Sequence, residues 1–425
     1  MAIAPVPVPR LTAALQTGVA ILTSYPEDTM AFEQLSLLPA DPLLALIGAY
    51  RGDPRPNKLD LGVGMFRDAE GGTPVMRAVK AAEARLLAHQ DSKSYLGPEG
   101  DARFVAALAP LVLGDPVPAE RTAGIQTPGG TGALRLGAEL LARAGVTRIW
   151  MATPSWPNHA PIFAAAGLEP RAYDAFDVAS QTLNGAAMLA ALDQAAAGDA
   201  VLLHGCCHNP TGIDPDAALW AEIAARVEAR GLVPFVDLAY QGLGDGWDED
   251  AAGARAVLAR CTHGLLAYSC DKNFALYRER TGALWTVAPT AQETAILYSN
   301  LLALARANWS MPPDHGAAAA RIVLEDAALA AEWRAELDSM RERLCLLRRG
   351  VSALGTIGSI DLAPIACGKG MFATLPLSRS QVAWLREEHA IYMAASGRIN
   401  IAGFSEAGIS QFGDALKALV AAGVA

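Results

Sequence analysis

Four short apolar runs recur through the middle of the chain: Arg148–Ala152, Ala200–His204, Val233–Val236 and Gly264–Ala267. They lack the apolar/polar alternation of a half-solvated strand, and apolar residues at successive positions predict strands buried on both faces. Helical periodicity separates several of them, most clearly over Ala217–Arg230, which is the rhythm of a mainly parallel sheet in an α/β fold. A further strand is predicted at Ile125, leading through a glycine turn into a helix that runs to Arg143. Another spans Ala283–Val287, before a helix from Ala291 to Ala307 that Pro312 and Pro313 halt.

The flanks read differently. A helical pattern runs from Phe32 to Ile47, with Asp41 as N-cap and Pro42 in the first turn. Lys58–Leu61 is a short strand that breaks into a turn at Gly62 and Gly64, and a helix follows over Met76–His89. A long helix, roughly 327–354, crosses to a compact α+β unit with a strand at Gly370–Thr374. At 425 residues the chain exceeds what one core usually supports, so two domains are expected. Residues 1–29 begin Pro-rich and carry a single arginine, too little charge for a transit peptide. They read as a flexible leader, with Met30 as an alternative start.

Composition narrows the function. A formal charge of −10 argues against broad binding to nucleic acid or to anionic membranes. No apolar run reaches membrane-spanning length. The six cysteines make no C-x-x-C pair and no zinc-finger spacing, which predicts free thiols, a cytoplasmic location and no metal.

Ligands of open α/β sheets bind beyond the carboxyl ends of the strands. Each strand here delivers polar or aromatic residues to that edge: Thr131, Trp156, Asn209, Asp237 with Tyr240, and Ser269 with Lys272. Any one is an acceptable turn residue, and Lys272 with Arg280 by itself reads as a solvated turn. Five strands doing this together point to one site. The turn Thr127–Gly132 at a helix start suits an anion, yet it is neither a Walker A loop nor a G-x-G-x-x-G turn. His159, His204 and His208 are expected to bond locally instead of ligating a metal.

A lone lysine flanked by a hydroxyl and a guanidinium suits an imine with a phosphorylated aldehyde, and pyridoxal 5'-phosphate asks for the whole inventory. Asp237 would face the pyridine nitrogen, Tyr240 and Asn209 the phenolic oxygen, and Trp156 the ring face. Ser269, Arg280, Thr131 and the amides of Gly130 and Thr131 would hold the phosphate, Arg280 in bidentate fashion.

From about Phe32 onward, these segments and Ser396-Gly397-Arg398 resemble the class I aspartate/aromatic aminotransferases, a fold-type-I pyridoxal phosphate family. The resemblance implies a large domain, residues 73–330, with a mainly parallel seven-stranded-type sheet between helices. Residues 30–72 and 331–425 would together form the smaller α+β domain. It implies Lys272 as the imine-forming, proton-moving lysine, Arg398 on the substrate α-carboxylate, and Gly64 in the substrate pocket. Tyr95 and Arg306 would come from the partner subunit of a homodimer, to the phosphate and the distal carboxylate respectively.

The implied activity is ping-pong transfer between aspartate or aromatic amino acids and 2-oxoglutarate. The alternatives are a strict aspartate aminotransferase, or β-elimination or decarboxylation with the same cofactor. A pyridoxal-phosphate-sensing regulator lacks its DNA-binding helices here. Met65, Phe66, Trp309 and Met311 are expected to give the pocket an apolar lining. Asp271 departs from the family, which usually has serine there; it either faces the site or points into the sheet edge or solvent.

Overall fold

Seven strands form the central sheet: β1 (Thr122–Pro128), β2 (Arg148–Thr153), β3 (Glu169–Asp174), β4 (Ala200–His204), β5 (Val233–Leu238), β6 (Gly264–Ser269) and β7 (Thr281–Val287). Their order across the sheet is β1-β7-β6-β5-β4-β2-β3. All pairings are parallel except those of β7, which runs antiparallel to both neighbours. This computed structural model describes residues 35–38 and 41–424. The leader, Met30 and Phe32 lie outside the described residues. Residues 42–424 pack as one compact unit.

The continuous apolar runs are what a sheet buried on both faces requires. Along β4, Val201 and Leu203 enter one core while Ala200 and Leu202 enter the other. On β6, Leu266 and Tyr268 join the first core, and Leu265 and Ala267 the second. The side-chain period of two makes one strand serve both layers. Helices Gly129–Arg143 and Ala291–Asn308 cover one face; Ala102–Val112, Ala217–Arg230 and Glu249–Arg260 contribute to the other. Helix Ala217–Arg230 stops where its ends predict: Asp216 accepts from the Leu219 amide, and Gly231 closes the helix at φ 61°. The strand that patterning missed is β3, a partly exposed edge whose Glu-Pro-Arg-Ala-Tyr-Asp carries no apolar run.

The strands also run further than their apolar cores. Asp237 lies inside β5 in register with His204, and Ser269 ends β6 opposite Gly282 of β7. The helix that β1 leads into starts at Gly129, whose φ of 69° favours glycine.

Outside the sheet, Leu59–Asp60 pairs in parallel with Ile391–Tyr392, and Phe372–Thr374 pairs antiparallel with Arg398–Asn400. The long helix Ala327–Ser352 anchors this part through the buried Arg348, whose guanidinium donates to the carbonyls of Ile365, Lys369, Gly370 and Phe372. Five N–H donors in a rigid fork let one arginine hold the approach to a whole strand.

The loop after β5 is tied down by one carboxylate. Asp250, 4% exposed, accepts from the amides of Gly242 (2.8 Å), Gly244 (2.9 Å) and Asp245 (2.8 Å). Gln241 adds bonds to the carbonyls of Leu111 and Trp247, so the chain leaves Tyr240 along a fixed path. Asp250→Ala strands three amide donors. It should destabilise the protein by about 3 kcal/mol, since each buried donor left unpaired costs about 1–3 kcal/mol. Urea unfolding of wild type against the variant measures this, and a loss below about 1 kcal/mol would show that the loop finds other acceptors.

Candidate active site

A cavity of about 240 Å³ opens at the carboxyl ends of β4, β5 and β6. Its walls include Gly64, Gly130, Thr131, Trp156, His204, Asn209, Asp237, Tyr240, Ser269, Asp271, Lys272, Phe372 and Arg398. The tertiary structure thus brings together residues spread over more than three hundred positions. A larger, shallower depression of about 490 Å³ lies between Arg85, His89, Arg321 and Glu325. Arg85 and Arg321 are paired there with Asp326 and Asp101, and no comparable cluster of reactive groups converges on it.

Lys272 stands at the centre. Its Nζ lies 3.7 Å from Asp271 Oδ2 and 5.7 Å from the centre of the Tyr240 ring. Desolvation lowers its pKa below the ordinary lysine value, although Asp271 pulls the other way. An amine in that condition is more readily neutral than a surface lysine.

Asp237 is held by a relay. His159 Nε2 donates to Asp237 Oδ2 at 2.9 Å, while Ser155 Oγ lies 2.9 Å from His159 Nδ1 and 3.1 Å from His204 Nε2. These bonds are all satisfied if His204 donates to Ser155, Ser155 to His159, and His159 to Asp237. Burial pushes the Asp237 carboxyl up, but the hydrogen bond from His159 and the positive charge of Lys272 outweigh it and hold the group below its usual range. Burial, with His159 nearby, drives His204 down to about 3, and burial also depresses His208, which bonds Thr211. The three histidines are local hydrogen-bonders, as expected. That one of them orients Asp237 went unread, and the only signal was the placing of histidines after two adjacent strands.

Arg398 is 8% exposed and has no carboxylate partner among the described residues. Nη1 donates to Asn209 Oδ1 at 3.3 Å and Nη2 to the Gly62 carbonyl at 2.9 Å, while Nε is buried without a hydrogen-bond partner among those residues. The Phe372 ring lies beneath the guanidinium, 4.6 Å away. Gly64 is also pressed against Phe372, where an added Cβ would come 2.6 Å from the ring. Nothing in the sequence marked Phe372; the pairing of its strand with Arg398–Asn400 brings it here.

The glycine turn meets Ser269 and Arg280. A Cβ on Gly129 would fall 2.5 Å from Arg280 Nη2, and one on Gly130 would fall 3.1 Å from Ser269 Cβ. Arg280 sits at φ 54°, a left-handed conformation that costs a residue with a Cβ about 1–2 kcal/mol. It stands behind the cavity wall, and its Nη1 donates to Asp271 Oδ2 at 2.6 Å and to the Tyr277 carbonyl at 3.1 Å. Asp271 therefore faces the site; the alternative, a side chain in solvent or at an inert sheet edge, does not hold.

Other expected groups lie elsewhere. Tyr95 is 93% exposed, and Arg306 is on the surface with Nη1 bonded to Ser310 Oγ. Met65, Phe66, Trp309 and Met311 do not line the cavity of the single chain. Phe66 and Trp309 instead pack with the two cores, and the Met311 sulfur accepts from the Leu96 amide.

Residues 56–416 match the family described as Aminotransferase class I and II. A tyrosine aminotransferase of Rhizobium meliloti is 54% identical over 88% of this chain and 97% of its own length. An aspartate aminotransferase of Escherichia coli is 42% identical over 92% of this chain and the whole of its own. An aromatic-amino-acid aminotransferase from Burkholderia pseudomallei, solved covalently bound to pyridoxal phosphate, superimposes with a TM-score of 0.88 at 38% identity, covering 92% of this chain and 100% of that one. A cavity built around Lys272 and a match spanning nearly all of the described residues lead to one conclusion: the chain belongs to the class I and II aminotransferases.

Proposed function

We propose that this aminotransferase binds pyridoxal 5'-phosphate in the Lys272 cavity and transfers amino groups from aspartate and aromatic amino acids to 2-oxoglutarate. The observation that carries the substrate reading is Arg398: a buried guanidinium with no carboxylate partner among the described residues, facing the cavity that holds Lys272. Leaving such a group unpaired is costly, and a substrate α-carboxylate is the partner that would complete it.

The residues fit the cofactor. An ionised Asp237, a helix N-terminus at Gly129–Gly130, the Ser269 hydroxyl and a flat indole are the donors and surfaces that a phosphorylated pyridine requires. Bound there, pyridoxal phosphate supplies an aldehyde for the amino group and a ring that accepts electrons from the substrate Cα.

The chain's own residues do the rest. Asp237, kept ionised by His159, would hold a proton on the pyridine nitrogen. Tyr240 and Asn209 would hydrogen-bond the phenolic oxygen, and Trp156 would pack against the ring face. Thr131, the Gly130 amide, Ser269 and Arg280 would hold the phosphate. Lys272 Nζ would move the proton from the substrate Cα to the cofactor C4′ carbon across the imine nitrogen, a task its lowered pKa suits. Gly64 leaves space where a side chain would collide with Phe372. One pocket serves donor and acceptor in turn, which is the ping-pong order.

Tyr95 and Arg306 are assigned to the neighbouring site of a homodimer, Tyr95 at the phosphate and Arg306 at the distal carboxylate. Their exposure on a single chain supports this assignment. Residues 30–72 with 331–425 are assigned to a small domain that closes over the substrate against 73–330. The thiols support a cytoplasmic location: the described cysteines are free, and no described helix is long and apolar enough to cross a membrane.

Lys272→Ala should abolish turnover while pyridoxal phosphate still binds without a covalent bond. Comparable turnover in an assay with aspartate and 2-oxoglutarate would remove the central claim. Asp237→Asn should lower kcat about a thousandfold, near 4 kcal/mol of barrier, and a loss under about tenfold would place Asp237 away from the ring. Arg306→Ala should cut kcat/KM for aspartate by about a hundredfold and leave tyrosine nearly unchanged. Equal losses would assign Arg306 to the architecture of the site, and a wild type inert towards tyrosine and phenylalanine would make the enzyme a strict aspartate aminotransferase.

A further inference from the structure

One side chain of the cavity has no task in that mechanism. Asp271 is an acid whose side chain is 7% exposed, placed among the groups assigned to the cofactor. Oδ2 contacts Arg280 Nη1 at 2.6 Å and lies 3.7 Å from Lys272 Nζ. Its amide donates to Ser269 Oγ at 3.2 Å. Oδ1 is buried with no hydrogen-bond partner among the described residues. Asp271 thus touches the lysine and the arginine through its carboxylate and the serine through its amide.

We propose that Asp271 is a built-in anion that competes with the cofactor phosphate for Arg280, so that this enzyme holds pyridoxal phosphate more loosely than the same site without the carboxylate. The inference rests on the reading of the cavity as a pyridoxal phosphate site. A guanidinium grips phosphate best when two adjacent N–H groups reach two oxygens. Here Nη1 is occupied by Asp271 and by the Tyr277 carbonyl, which breaks the end-on pair of Nη1 with Nη2. Nη2 remains turned towards Gly129, at the mouth of the glycine turn.

The charge count points the same way. Arg280 and Asp271 form a closely spaced pair with no net charge, so Arg280 brings no uncompensated cation to a phosphate at the glycine amides and hydroxyls. It also meets a carboxylate of its own sign at short range. Replacing the acid by the smaller serine removes this acceptor and leaves Nη1 only the Tyr277 carbonyl, while the isosteric amide of asparagine removes the competing negative charge.

The test compares apoprotein of wild type, Asp271→Ser and Asp271→Asn against three probes: pyridoxal 5'-phosphate, pyridoxal and inorganic phosphate. Absorbance follows the two aldehydes and calorimetry follows phosphate. Both variants should bind the two phosphate-bearing probes about tenfold tighter than wild type, with pyridoxal affinity changed less than about twofold. The apoprotein of each variant should also melt at a lower temperature, having lost an ion pair that the cofactor-free wild type keeps. Unchanged or weaker phosphate affinity overturns the inference, as does an equal gain for pyridoxal, since the effect would then not act through the phosphate. Normal cofactor uptake with unchanged affinity overturns this inference alone. Failure of wild type and both variants to take up pyridoxal phosphate overturns the cofactor reading and this inference together.

Discussion

A lysine amine withdrawn from water is the constraint on which this structure turns. Burial disfavours the charged form of Lys272, and a cation at that depth needs compensation by nearby charge. The surrounding polar groups are arranged accordingly: Asp271 beside the amine, Arg280 behind Asp271, and Asp237 further along the sheet edge. None of these groups sits on a long loop. Each is within a few residues of a strand end, where the ladder of backbone hydrogen bonds sets its position.

The parallel sheet makes that placement possible. With both faces covered by helices, the strand interiors have no use for polar side chains, and functional groups collect where the strands stop. Adjacent strands in register bring His204 beside Asp237, and the antiparallel β7 returns the chain so that Gly282 seats Ser269 next to the glycine turn of β1. A carboxylate that must stay ionised is then bonded to a histidine that is itself oriented by a serine. Such a relay works because His159 at its centre is fully buried and its partners are few.

The second half of the cavity comes from chain that is remote in sequence. Arg398 is carried by a strand paired with Phe372–Thr374, and that strand's approach is stapled to the long helix by Arg348. Arg398 also reaches back to Gly62 and across to Asn209, so a single guanidinium joins three parts of the chain.

Much of this was legible in the residues alone. Apolar runs of strand length located the buried strands, and turn residues after them located the site, because a covered sheet leaves polar chemistry nowhere else to go. The resemblance assigned roles to Lys272, Asp237 and Arg398, and all three line one cavity. The edge strand β3 was missed because half of it faces water and its polar residues mimic a loop. Patterning also had no means of finding Phe372 under Arg398, or His159 behind Asp237, since both contacts join segments far apart in sequence. Asp271 shows the division most clearly. The sequence announced an acid beside the lysine and left its direction open. Only the fold, by setting the turn after β6 against Arg280 at its strained φ, decided that the carboxylate faces inward and takes the guanidinium.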